Sequence, residues 1–241
     1  MRLSWTVFAT ALIAALLGAA AFAGIERVVP AAAGERARVE GVVHDYVLAH
    51  PEIIPEALDR LRDRAHADTI ASNRDAILKP FGSAWGGNPA GDVTLVEYFD
   101  YNCGYCRASL PAIAALLKSD PKIRIVYREF PILAQSSVDA ARMSLAAAEQ
   151  GKFQQFHDAL YAGGQVSAQT IAAAAKTAGV DQARAAAFAP KADAEIAQNQ
   201  TIARALGLTG TPSWVIGSKV VSSALPLDEL QKAVAEARAG K

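Results

Sequence analysis

The chain has 241 residues, with 24 basic and 24 acidic side chains and two cysteines. This balance supplies no net field for nucleic acid, and the length suits one domain with a good core plus an appendage. The two cysteines, Cys103 and Cys106, have no other thiol to pair with.

From Leu3 to Ile25 no residue is charged, Arg2 precedes the run, and Ala21-Phe22-Ala23 has the small-x-small pattern of a signal peptidase site. The reading is export, with residues 1–23 as a cleavable signal peptide. Because the run is about long enough to span a bilayer, an uncleaved anchor is the alternative. Either way the folded part is expected outside the cytoplasm, in the periplasm or an equivalent compartment, where disulfides persist.

Residues 24–80 read as a helical N-terminal arm. Val39, Val42, Val43, Tyr46 and Val47 recur at helical spacing up to His50-Pro51. Ile53, Ile54, Ala57, Leu58, Leu61 and Ala65 then form a second apolar stripe among charged residues, in a helix expected to run to about Leu78. Pro55 implies a later start for this helix. The stripe must be covered, either by the arm's own domain or by another subunit, so residues 35–79 are a candidate homo-oligomerisation region.

Gly86 to Asp92 is a turn-rich boundary, and the main domain is assigned to residues 81–241. Val93-Thr94-Leu95-Val96-Glu97-Tyr98-Phe99 reads as a strand, Cys103 to Lys118 as a helix, and Ile123 to Phe130 as a second strand, which together make a βαβ unit with parallel strands. An alanine-rich stretch at about 134–206 predicts some four helices, broken at Gly151, Gly163-Gly164, Gly179 and Pro190. Ser213–Ile216 and Lys219–Ser222 then read as two short strands, and Asp228–Arg238 as a closing helix. The fold class is α/β.

Cys103-Gly104-Tyr105-Cys106 stands where the first strand turns into a helix. At a helix N-terminus the unpaired N–H groups and the dipole favour a thiolate, the form of cysteine that attacks disulfides. Cys106 lies one turn on and can resolve a mixed disulfide. A structural disulfide would close too short a loop to stabilise the fold much. Zinc needs about four ligands, and His44, His50, His66 and His157 show no ligand spacing. Two thiolates could hold Cu(I), which remains open as a non-enzymatic reading, although Met1 and Met143 give no Met-rich site. No cofactor is called for.

A βαβ unit with CxxC at the helix, a helical insertion and a closing ββα unit resembles the thioredoxin fold as elaborated in the DsbA-like thiol:disulfide interchange family. The resemblance rests on Gly87-Asn88-Pro89, Val96 to Arg107, Tyr127-Arg128-Glu129-Phe130-Pro131, Phe156 to Leu160, and Gly210-Thr211-Pro212-Ser213-Trp214. It implies that Pro212 is cis and faces the cysteines, where Thr211 pairs with an extended substrate; from the residues alone, Gly-Thr-Pro is an ordinary turn. It also implies that Glu97 is a buried acid beneath Cys106, able to take its proton; the alternative is a carboxylate facing solvent. Arg107 and His157 read as a surface cation and a helix residue.

Catalytic roles are thus expected for Cys103, Cys106 and Glu97, with Gly104, Tyr105, Thr211 and Pro212 meeting substrate. Gly-Tyr between the cysteines lacks the histidine of the strongly oxidising relatives, and with Thr before the proline it is similar to the isomerase side of the superfamily. Tyr46 to Leu58 resembles the N-terminal region of the ScsC-like (suppressor of copper sensitivity) subgroup. The resemblance implies an exported disulfide isomerase acting on protein thiols and disulfides and reset by a membrane thiol-redox partner. The alternatives are a monomeric DsbA-like oxidase and a Cu(I)-binding protein of copper tolerance.

Overall fold

The computed structural model describes residues 5–240, without the side chains of residues 5–7, 23 and 25–33. The signal-peptide reading therefore falls partly outside the described residues. The chain divides into two compact units, Met1–Arg60 and Leu61–Lys241.

In the first unit, α1 (Trp5–Ala49) is one helix that stops before His50-Pro51. It leaves Val39, Val42, Val43, Tyr46 and Leu48 exposed, and Ile54 and Leu58 after the break are exposed too. Among the described residues, no helix is long and apolar enough to cross a membrane. The next helix, α2 (Ile53–Ser72), starts before Pro55, not after it. Proline is accommodated there because the first helical turn has no intrahelical partner for its N–H groups.

The helix expected to reach Leu78 instead breaks at Asn73, and α3 (Arg74–Leu78) follows. Residues 61–79 belong to the core of the second unit. Ile70 and Ile77 are buried with Val96, Tyr98, Val126, Leu206 and Val215. Arg128, itself buried, donates to the carbonyls of Ile77 and Lys79 and pairs with Glu195 at 2.7 Å.

The second unit is built on a five-stranded sheet of order β1 (Trp85–Gly87), β3 (Ile123–Glu129), β2 (Val93–Phe99), β4 (Ser213–Ile216), β5 (Lys219–Val221). β2 and β3 are parallel, joined by α4 (Gly104–Ser119), and the remaining pairs are antiparallel. β1 was hidden in the stretch read as a turn. Gly87 has φ +81, and a Cβ there would meet the Ile123 carbonyl at 2.5 Å, so the glycine belongs to a strand edge that only it can occupy.

The insertion is α5 (Gln135–Glu149), α6 (Phe153–Ala162), α7 (Ala168–Ala178) and α8 (Gln182–Ala205). Pro190 lies within α8 and does not divide it. The chain closes with α9 (Leu227–Ala239). This is the thioredoxin fold with a helical insertion, as the sequence implied.

Strand alternation sorts the sheet into two faces. Val96, Tyr98, Val126 and Val215 point toward α3 and the end of α8. Leu95, Phe99, Ile125, Tyr127, Trp214 and Ile216 point the other way, into a core shared with α4, α6 and α9. Glu97 has the phase of this second set.

Candidate active site

Cys103 is the N-cap of α4, and its sulfur accepts the Cys106 backbone N–H at 3.3 Å. An N–H aimed at the sulfur from the first helical turn favours charge there. The Cys103 thiol also donates to the Thr211 carbonyl at 3.1 Å. The Thr211–Pro212 peptide bond is cis, and this hydrogen bond sets Thr211 beside Cys103. Both cysteines are free, the dithiol form, and both are buried, Cys106 the more completely. Gly104 and Tyr105 are exposed beside them, Tyr105 by 71%.

Glu97 is buried, not turned to solvent. It lies opposite Tyr127 on β3 and Trp214 on β4, on the face beneath α4. Burial without a countercharge pushes its carboxyl up to about 8, so near neutral pH it is mostly protonated but able to exchange. Burial, and then the Glu97 charge, push the Cys106 thiol far up. Glu97 is thus a charge that the Cys106 thiol senses.

Three further residues that shape the site gave no clear signal in the sequence. The buried Asp100 carboxylate accepts the backbone N–H groups of Asn102 at 2.8 Å, Ile132 at 2.9 Å and Leu133 at 3.0 Å, while its carbonyl accepts the Cys103 N–H at 3.0 Å. This one side chain ties the loop before Cys103 to the loop after β3. Arg107 is not a free surface cation. Its guanidinium binds the carbonyls of Tyr161 and Gly164 and lies over the Tyr161 ring, fastening α4 to the end of α6. His157 is buried among Phe99, Tyr101, Tyr127 and Phe153, and burial lowers its imidazole to about 3. It is a neutral core group, bonded through Nδ1 to the Tyr101 hydroxyl at 3.2 Å.

A groove of about 850 Å³ near Ile70, Ile216 and Ala233 has none of the site residues in its wall. Among the described residues, no group of three or more histidine, cysteine or carboxylate side chains could hold a metal. The arrangement is a pair of buried thiols at the start of α4, Cys103 the less buried of the two, with a buried carboxyl, Glu97, on the sheet face beneath.

This dithiol on a thioredoxin fold defines a class, and comparison with known proteins agrees. A family model described as the DSBA-like thioredoxin domain matches residues 94–235. The chain belongs to the DsbA-like family of thioredoxin-fold thiol:disulfide oxidoreductases. Ahead of that domain, residues 35–67 match the N-terminal domain of the copper resistance protein ScsC, which places the chain with the ScsC-like members.

A thioredoxin-like oxidoreductase from Silicibacter pomeroyi is 41% identical, with 69% of this chain and 98% of that one covered and a TM-score of 0.65. The thiol-disulfide exchange protein alpha-DsbA2 from Wolbachia pipientis is 30% identical, covering 73% and 97%, also with a TM-score of 0.65. Proteus mirabilis ScsC in a transitional conformation is 25% identical, covering 86% and 96%, with a TM-score of 0.65. Two curated relatives are Na(+)/H(+) antiporters, NhaA 3 of Salinispora tropica, 43% identical over 29% of this chain, and NhaA 1 of Salinispora arenicola, 30% identical over 61%. The chain spans only 11% and 24% of their lengths.

Proposed function

We propose that this protein is an exported disulfide isomerase, reshuffling wrong disulfides in protein substrates through Cys103 and Cys106. The Cys103 thiolate attacks a substrate disulfide, forming a mixed disulfide and releasing one substrate thiolate. That thiolate can attack another disulfide of the substrate, and the substrate thiolate released there then attacks the substrate sulfur of the mixed disulfide, forming a new substrate disulfide and releasing the Cys103 thiolate, which completes an isomerisation without net electron transfer. Otherwise Glu97 takes the Cys106 proton and the Cys106 thiolate attacks the Cys103 sulfur. The second substrate thiolate leaves, the substrate is reduced by two electrons, and Cys103–Cys106 becomes a disulfide that a membrane thiol-redox partner must reduce. Gly104 and Tyr105 line the approach, and the Thr211 backbone beside cis-Pro212 receives the extended substrate.

The observation that carries isomerase over oxidase is the arm. An apolar stripe left exposed on α1 and the start of α2 accompanies a CxxC pair that lacks the histidine of strong oxidants. A stripe of this kind is covered by association, and we assign it to homo-oligomerisation, which gathers several dithiols around one misfolded chain. The uncharged run at residues 3–25 supports export, as does the family of exported thiol handlers to which the domain belongs.

The test is reactivation of a scrambled multi-disulfide protein by residues 24–241 in a mild thiol buffer, with Cys103→Ser as control. Recovery that depends on Cys103 supports the isomerase. Absence of recovery, together with rapid oxidation of a reduced peptide, indicates the DsbA-like oxidase. The Cu(I) reading requires both thiols to ionise, against the burial of Cys106; a titration of the reduced protein showing no bound Cu(I) removes it.

A further inference from the structure

Asn102 immediately precedes Cys103, and its side chain leaves the redox loop for the helical insertion. Its amide Nδ2 donates to the hydroxyl oxygens of two consecutive residues, Ser136 Oγ at 3.0 Å and Ser137 Oγ at 2.9 Å. Both serines stand in the first turn of α5, where a serine side chain commonly bonds to its own helix. Successive residues of a helix point about 100° apart, so two neighbouring hydroxyls meet one amide only when both are turned to it. The Asn102 N–H is held as well, by the Asp100 carboxylate at 2.8 Å.

The two cysteines are thus fastened to the insertion by different routes. Through Asn102, the residue that leads into Cys103 is tied to α5. Cys106 is carried by α4, which Arg107 ties to the end of α6. The Tyr101 hydroxyl joins the two routes, bonded to Ser144 of α5 at 2.9 Å and to His157 of α6 at 3.2 Å. The Cys103 sulfur is held 3.3 Å from the Cys106 backbone nitrogen with no disulfide to fix it there.

We infer that Asn102 is a positioning residue for closure of the dithiol: its clasp on Ser136 and Ser137 holds the Cys103 sulfur where Cys106 can attack it. Closure is an intramolecular displacement at the Cys103 sulfur of a mixed disulfide, so its rate depends on how the two sulfurs are aligned. The first attack, by Cys103 on a small disulfide, makes no such demand. This rests on the reading of Cys106 as the resolving thiol.

The reaction of the reduced protein with an equimolar amount of 5,5′-dithiobis(2-nitrobenzoate) separates the two steps. The Cys103 thiolate attacks the reagent's disulfide, forms a mixed disulfide and releases one thionitrobenzoate. The Cys106 thiolate then attacks the Cys103 sulfur, forms the protein disulfide and releases the second; the protein loses two electrons and the reagent gains them. In Asn102→Ala the second release should slow about tenfold, short of the roughly hundredfold that a 1 Å misplacement can cost, with the first unchanged. The double variant Ser136→Ala/Ser137→Ala should slow it equally, and adding Asn102→Ala to that variant should slow it no further.

A second release at the wild-type rate in either variant, both releases slowed alike, or losses that add when the variants are combined would overturn the inference. If Cys106→Ser still releases both thionitrobenzoates, Cys106 is not the resolving thiol, and the role of Asn102 falls with that reading. Should Asn102→Ala not fold, the serine variant, whose alanines favour helix, carries the same test.

Discussion

Replacing Glu97 by Gln should make the protein more stable while impairing its chemistry, and the size of the gain should depend on pH. Burial raises the Glu97 carboxyl from 4.5 to about 8. The folded state therefore binds a proton that the unfolded chain has lost, and stability falls as pH rises from about 4.5 through about 8. At about 1.4 kcal/mol per tenfold change in proton affinity, the full penalty is on the order of 5 kcal/mol. It is fully developed only above pH 8, and little of it is present at pH 5. Glutamine keeps the shape and cannot ionise. Urea unfolding of the reduced wild type and Glu97→Gln, at pH 5, 7 and 9, should show the variant's advantage growing by about 4 kcal/mol across that range. The difference cancels every other titrating group that the substitution leaves alone. A pH-independent difference would show that Glu97 is not a buried acid held in its neutral form, and the case for it as the base would go with it.

Three other perturbations test the structure. A chain beginning at Leu61 should keep a folded, redox-active unit and lose self-association; one beginning at Pro80 also loses Ile70, Ile77 and the carbonyl acceptors of Arg128, and should be less stable by at least ~4 kcal/mol. Urea unfolding and light scattering on the two truncations read both effects. Asp100→Ala strands three backbone N–H groups, which should cost about 3–5 kcal/mol in urea and slow the reaction of Cys103, since the loop that carries it loses its tie to Ile132 and Leu133. His157, lowered from 6.5 to about 3 by burial, must be neutral in the folded state, so its contribution is present above pH 6.5 and lost as pH falls toward 3. Acid titration of His157→Gln beside the wild type should show the variant spared a loss on the order of 4 kcal/mol.

The elements that carry the chemistry were legible because their signals are local. An apolar run before CxxC gave β2 and the start of α4, and glycine breaks marked three of the four junctions expected in the insertion. Proline misled twice, at Pro55 in the first turn of α2 and at Pro190 within α8, because a proline residue does not by itself show whether its position needs an N–H. The short β1 was missed because glycines at a strand edge look like a turn until the Ile123 carbonyl is placed against them. The arm's stripe was visible, but not that its last third, Ile70 and Ile77 included, belongs to the core of the redox unit.

The residues that shape reactivity were legible only in part, because they act across long stretches of chain. The two cysteines declared themselves by spacing. Glu97 could not be assigned to a face from its own strand, since Val96, Tyr98, Leu95 and Phe99 are all apolar and β2 is buried on both sides. Only the register with β4 shows that its neighbour is an indole rather than an ammonium group. That difference bears on function. A lysine beside the carboxyl would favour its ionised form, whereas burial without a countercharge raises it to about 8, where, on the proposed reading of Glu97 as the base, it can both accept the Cys106 proton and give it up. On that reading, the cost of burying an acid in the fold and its usefulness to the dithiol have one cause, a carboxyl buried without a countercharge among the described residues.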